Sequence, residues 1–352
     1  MQKKRISSLS FKIICFVAFL MMMELLISCK PKSNKLSFEA MNTFMVIQSY
    51  GKNSEQANLE IEKEILNLEK LISTTNEESQ IYQLNHLENP KLLLSPHSSQ
   101  IIHYALNMAQ KTDGALNPAL YPITQTWGFT TGNYRVPEDK EIANLLPLTD
   151  YKKISFSTEN QNEITLEQGM MLDLGSLGKG YAGDLAIEIL KKYGIKSAIL
   201  DLGGNIQTLG KKPDGKSWAI GIKNPWAKNV VAGLTVNDMA VITSGGYERY
   251  FTADDGKDYI HIFDGKTGRP VNNDLASVTI VTQKGIYGDS LSTALFVMGK
   301  DQAVNYWKKH HSEPDQNFDL LLITNDEELI YSPGLQGKLQ ILANFSEITV
   351  ID

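Results

Sequence analysis

The 352-residue sequence predicts an α+β fold of mixed, largely antiparallel sheets with packed helices. Strand-like runs outnumber helical ones, and many follow one another across turns too short for a parallel crossover. The composition, 42% hydrophobic and 21% charged with 26 Gly and 12 Pro, is that of an ordinary globular chain. At this size one large domain or two intimate ones can bury a core and still leave a cleft. Lys and Arg number 34 against 40 Asp and Glu, a formal charge of −6, with no basic tract beyond the extreme N-terminus. No nucleic-acid partner is therefore expected.

Taken in order, residues 1–28 read as an export signal. Lys3, Lys4, Arg5 and Lys12 precede the apolar run Ile13–Met23, which is too short to span a bilayer as a mature helix. Leu26-Ile27-Ser28-Cys29 then resembles the lipobox of bacterial lipoproteins, where the Cys becomes the lipidated N-terminus. Glu24 departs from that pattern, and a plain signal peptide or an uncleaved anchor stays open. The only cysteines are Cys15, inside the removed segment, and Cys29. The mature chain then has no free thiol, which excludes disulfides, thiolate catalysis and Cys-ligated metals. Residues 29–36 read as a solvated tether and 37–352 as the folded domain, giving an exported lipoprotein that faces the periplasm or the cell exterior.

Phe38–Tyr50, rich in β-branched and aromatic residues, predicts a first strand ending at Gly51. Leu59, Ile61, Ile65, Leu68, Leu71 and Ile72 recur at helical spacing and predict a helix over Ser54–Ile72. A second helix is expected over Ser98–Thr112, stopped by Asp113-Gly114, followed by a loop from Asn117 to Gly132. A short helix at Asp139–Leu145 and strands at Lys153–Ser157, Glu163–Glu167 and Met170–Leu174 come next. A Gly-rich turn leads into a helix at Tyr181–Tyr193 and a strand at Ser197–Leu202. Strands then alternate with turns at Trp218–Lys223, Leu234–Val236, Ala240–Ser244, Tyr259–Phe263 and Ser277–Thr282, before a helix at Ser290–Met298.

Asp173-Leu174-Gly175-Ser176-Leu177-Gly178-Lys179-Gly180-Tyr181-Ala182-Gly183-Asp184 is the densest chemical signal. Placed between a strand and a helix, its backbone N–H groups and the helix dipole favour phosphate. It fails the P-loop pattern because Gly180, not Ser or Thr, follows Lys179. It does satisfy G-x-G-x-x-G through Gly178, Gly180 and Gly183, with Asp201 closing the next strand. Two readings stay open there: a dinucleotide fold, or glycines that permit tight packing beside a solvated Lys179. Asp289 and Thr293, one helical turn apart, share a face that suits a hard cation such as Mg²⁺. Alternatively Asp289 is a plain N-cap. His261, in Tyr259-Ile260-His261-Ile262-Phe263-Asp264, is a general base, a phosphate partner or a packing residue.

In combination and in order, these segments resemble the ApbE family of FAD:protein FMN transferases, which are often exported lipoproteins. The resemblance runs through Met41-Asn42-Thr43, Ser73 to Ser79, Leu84-Asn85, Thr112 to Pro118, Trp127-Gly128-Phe129, Asp173 to Asp184, Gly203-Gly204-Asn205, Thr243-Ser244-Gly245, His261 to Gly268, and Asp289 to Ala294. It implies an ApbE-like, T-fold-like architecture. It also implies FAD as substrate, Mg²⁺ as cofactor, and transfer of FMN to a Ser or Thr of an acceptor flavoprotein of membrane redox systems, with AMP released. The metal then falls to the Ser176 carbonyl, Asp289 and Thr293. FAD contacts fall to Met41, Thr75, Ala115, Leu116, Asn117, Asp173 and Lys179, and proton transfer near the scissile phosphate to His261. An FAD pyrophosphatase and a non-catalytic FAD-binding lipoprotein need the same pocket and stay open. The chain departs from the usual family pattern at Asn42, Ser176, Gly178, Gly265 and Gly288, and at Asn117, where a carboxylate is common.

Overall fold

The computed structural model describes residues 32–313 and 317–352; the export segment and Cys29 lie outside them. The centre is a nine-stranded sheet whose strands lie in chain order. They are β1 (Ser33–Ala40), β2 (Thr43–Tyr50), β3 (Ser197–Leu202), β4 (Asn205–Leu209), β5 (Ala240–Gly245), β6 (Leu275–Thr282), β7 (Phe318–Thr324), β8 (Glu328–Tyr331) and β9 (Glu347–Val350). Every neighbouring pair is antiparallel except the parallel pair β8 and β9. This is the expected α+β architecture, and the strand that follows the Gly-rich segment and its helix, β3, is antiparallel to both of its neighbours, which is incompatible with a doubly wound dinucleotide fold.

Helices α1 (Ser54–Ile72), α2 (Pro96–Lys111), α3 (Gly178–Lys192), α4 (Gly285–Met298) and α5 (Lys300–His310) share one core with one face of this sheet. The opposite face packs on a three-stranded sheet of Trp218–Lys223, Val230–Val236 and Leu339–Ile341. Alternation along β7 divides its side chains between the two: Leu320 and Leu322 enter the helical core, Leu321 and Ile323 the second. Because β6 lies between both cores, all eight of its residues are buried, and none of them is charged. A smaller cluster of Trp127, Phe129, Ile142 and Phe263 supports the loops at one end of the molecule. Among the described residues, no helix is long and apolar enough to cross a membrane.

Several boundaries differ from those predicted. The single strand expected over Phe38–Tyr50 is a hairpin, because Met41 and Asn42 adopt φ of 50° and 59° and Ala40 pairs with Thr43. Asn tolerates this left-handed region, so Asn42 serves where the family usually places Gly. Ser33–Leu36, expected in the tether, are already strand and pair with Tyr50–Ile47. The loop after Asn117 contains a helix at Tyr121–Thr126, and Ser79 caps an unpredicted helix at Gln80–His86. The strand expected at Met170–Leu174 does not form: the segment joins no sheet, and the Asn85 side chain pairs with Leu172 instead, accepting from its N–H at 2.7 Å and donating to its carbonyl at 2.9 Å.

Candidate active site

One cavity of about 830 Å³ gathers all the residues to which the resemblance assigns FAD, metal or proton transfer. Met41 comes from the β1–β2 turn, Thr75 from the chain after α1, and Ala115, Leu116 and Asn117 from the chain after α2. Asp173 and Ser176 precede α3, Lys179 lies in its first turn, His261 follows the short strand Asp258–Ile260, and Asp289 and Thr293 lie on α4.

The floor is set by the contact between α3 and α4. A Cβ on Gly180 would stand 2.3 Å from the Gly285 carbonyl oxygen, and one on Gly183 only 2.0 Å from Gln207 Nε2. From beneath, Gln207 Nε2 donates to the Gly180 carbonyl at 3.2 Å. Gly180 and Gly183 of the G-x-G-x-x-G pattern therefore admit a second helix and a strand side chain rather than a dinucleotide. Both helices start earlier than predicted, at Gly178 and Gly285, since glycines that read as a turn are helical where backbones touch. Asp184 on α3 caps α4 from outside, accepting from the N–H groups of Gly285 and Ile286 at 2.7 and 3.0 Å. Asp289 is consequently inside the helix and is not its N-cap.

Asp289 is 5% exposed, and its Oδ2 accepts from Gly180 N–H at 2.8 Å. Burial raises its pKa, against the opposing pull of Lys179 and the Gly180 N–H. Asp173 is pushed the same way by burial, against the Gly175 N–H at 2.7 Å and the cations Arg249 and Lys179. Two desolvated carboxylates thus share the field of Lys179, which favours the charged form of each. Thr293 Oγ1 lies 3.4 Å from Ser244 Oγ, which also contacts Ser292 Oγ at 2.8 Å. Among the described residues no group of three His, Cys, Asp or Glu side chains forms a metal cluster. The donors at hand, a carboxylate, a hydroxyl and the Ser176 carbonyl, are all oxygen. That chemistry fits a hard cation sharing its coordination with water or phosphate.

His261 forms the opposite wall, half-buried, with Nδ1 3.1 Å from the Arg249 carbonyl oxygen. A carbonyl only accepts, so Nδ1 carries the proton and Nε2 keeps its lone pair. Burial first, then the nearby cations Arg249 and Lys179, push the imidazole pKa down to about 4. The ring is therefore neutral and proton-accepting at neutral pH. Arg249 also donates from Nη2 to the Phe129 carbonyl at 2.6 Å, tying this wall to the aromatic cluster.

Asn117 is engaged at both ends of its amide: Nδ2 donates to the Thr149 carbonyl and Oδ1 accepts from Ala119 N–H, both at 2.9 Å. A carboxylate there could not donate to Thr149, so the departure from the family's usual residue has a local structural role. Glu69 and Arg249 also line the cavity without having been singled out in the sequence. Glu69, on a polar face of α1, accepts from Met41 N–H at 2.7 Å and anchors the hairpin turn.

The family model described as "ApbE family" matches residues 41–315. The FAD:protein FMN transferase of Klebsiella pneumoniae (strain 342) is 31% identical over 268 residues, covering 75% of this chain and 81% of its own. That of Treponema pallidum (strain Nichols) is 30% identical over 290 residues, covering 78% of each. The crystal structure of the ApbE protein of Thermotoga maritima superposes with a TM-score of 0.80 at 30% identity, covering 87% of this chain and 99% of that one. The apo flavinyl transferase ApbE of Pseudomonas stutzeri gives 0.74 at 25% identity, covering 85% and 93%. By sequence and by fold alike, the chain belongs to the ApbE family.

Proposed function

We propose that this chain is an FAD:protein FMN transferase that works with Mg²⁺. The observation that supports this most directly is the joining, in one cavity, of the oxygen donors on α4, the lysine at the start of α3 and the neutral imidazole opposite them. Lys179 and the start of α3 balance the charge of the FAD pyrophosphate. Bound between the Ser176 carbonyl, Asp289 and Thr293, Mg²⁺ would neutralise further phosphate charge. His261 Nε2 accepts the proton of the acceptor Ser or Thr hydroxyl as its oxygen bonds to the FMN phosphorus. The bond from that phosphorus to the bridging oxygen breaks, and AMP leaves with the electron pair. Positioning and charge do most of the catalysis in such a transfer.

The test is mass spectrometry of the purified mature chain incubated with FAD, Mg²⁺ and a candidate acceptor flavoprotein. An FMN-sized adduct on the acceptor is the expected result; free FMN would mean hydrolysis, and unchanged FAD would mean storage. The same reading makes Cys29 the lipid anchor of an exported, membrane-held enzyme. Cys29→Ser should release the protein from membranes or leave an uncleaved precursor, and absence of labelled fatty acid from the wild-type chain would sink that assignment.

A further inference from the structure

Asn205 opens β4 two residues before Gln207, which packs against Gly180, Gly183 and Gly285 where α3 meets α4. It is 1% exposed, lines the cavity, and neither Nδ2 nor Oδ1 has a hydrogen-bond partner. Other buried side chains among the described residues leave one polar atom unpartnered, whereas Asn205 leaves both ends of a carboxamide. Such a group destabilises the fold unless a ligand or an ordered water completes it.

Its backbone cannot swing away to solve the problem. Gly203 and Gly204, at φ of 72° and 86°, both donate to Asp201 Oδ1 at 3.1 Å, and Gly203 packs so closely on Thr43 that a Cβ would stand 2.1 Å from the hydroxyl. On the other side, Asn205 is in register with Ile242 of β5. The period of two along β4 puts Asn205 and Gln207 on the same face. Gln207 donates to the Gly180 carbonyl and fills the space left by Gly183 and Gly285. Asn205 is the next amide along that face, and Gly180, whose carbonyl Gln207 holds, donates its own N–H to Asp289.

We propose that Asn205 is a positioning residue of the cation site, its amide N–H steadying the Asp289 carboxylate while its oxygen accepts from water in the cavity. The proposal rests on the cation assignment made under the proposed function. It gives the two amides of one strand different duties, Gln207 holding the helices together and Asn205 aiming the ligand between them.

Asn205→Leu separates these duties, because an apolar side chain of similar shape removes the unpartnered atoms. Mn²⁺ is titrated into the purified, FAD-free mature chain and followed by electron paramagnetic resonance, with metal-free melting recorded alongside. The expected result is Mn²⁺ affinity weakened about 10–100-fold with melting unchanged or raised, and partial recovery in Asn205→Ser, which restores a donor. Wild-type affinity in Asn205→Leu overturns the proposal. Should that variant not fold, Asn205→Ser decides alone: several-fold weaker binding supports the role and wild-type binding overturns it. Asp289→Asn is the control. If it binds Mn²⁺ as the wild type does, or if the wild type binds none, the cation assignment itself fails; normal wild-type binding with an indifferent Asn205 removes only the present inference.

Discussion

The α3–α4 wall of the cavity and the His261 wall facing it are held by different forces. On the first, the backbones of Gly180 and Gly285 touch, Gln207 fills the gap beneath, and Asp184 caps α4 through two backbone N–H groups. On the second, His261 and Arg249 sit beside the short strands Tyr250–Thr252 and Asp258–Ile260, backed by stacked rings of Tyr134, Phe251 and Tyr259. Tyr134 and Tyr250 are 45% and 53% exposed on that side. The first wall has no side-chain freedom at its centre and so fixes charge in place. The second is a small aromatic cluster carrying a proton acceptor, and side chains can readjust there without disturbing the main core.

Asp289→Asn should separate the walls most sharply. The new amide oxygen still accepts from Gly180 N–H, so metal-free melting should be preserved, while Mg²⁺-dependent FMN transfer falls roughly a thousandfold, the several kcal/mol that a metal's charge supplies. Wild-type metal dependence in this variant would remove the first wall's assigned task.

On the second wall, His261→Ala should cost about a hundredfold or more in transfer and leave Mn²⁺ binding to the FAD-free protein intact. With the imidazole pKa lowered to about 4, its accepting form persists as pH falls below the ordinary 6.5, so the acid limb of the rate profile should lie near 4. Neutralising a cation that depresses it, as in Arg249→Gln, should move that limb upward. A wild-type limb near 6.5 would show that the ring is open to water. The stability contributed by the neutral ring is present above pH 6.5 and is lost as pH falls towards 4.

Gly180→Ala should destabilise the fold by about 2–3 kcal/mol, because its Cβ meets the Gly285 carbonyl. Gly233→Ala, with no atom within 4 Å of the new methyl, should be near neutral by melting. Equal effects would mean the helix contact is looser than drawn. Least severe, Lys179→Ala should weaken FAD binding by about 1–2 kcal/mol, the scale of a charged hydrogen bond, without unfolding; unchanged affinity by calorimetry would make Lys179 a bystander.

Elements with one amphipathic face were legible in the sequence: the helix predicted over Ser54–Ile72 has those bounds in the structure. Where glycine carried the signal, the sequence misled. Gly178 and Gly180 read as a turn because glycine is costly inside a helix, and only the opposing helix reveals why the cost is tolerated. Met41-Asn42 hid a hairpin for the converse reason, as neither residue is glycine. Asp289 and Thr293 were legible as a shared helix face, but not Asn205, whose interest lies in what it fails to touch. Arg249 matters partly through its backbone carbonyl, which no side-chain pattern encodes.

The early start of β1 bears on where the enzyme can act. With the anchor proposed at Cys29, the chain from that residue to Ser33 extends no more than about 14 Å, and the Lys32 carbonyl already accepts from Gly51 N–H at 2.9 Å. If Cys29 carries the lipid, a leash this short would hold the catalytic body against the bilayer. Encounters with acceptors would then become a search in two dimensions, where effective concentration favours proteins sharing the same surface over any dissolved competitor. Lengthening the leash with a flexible Gly/Ser insert before Ser33 would relax that selectivity while leaving the cavity chemistry untouched.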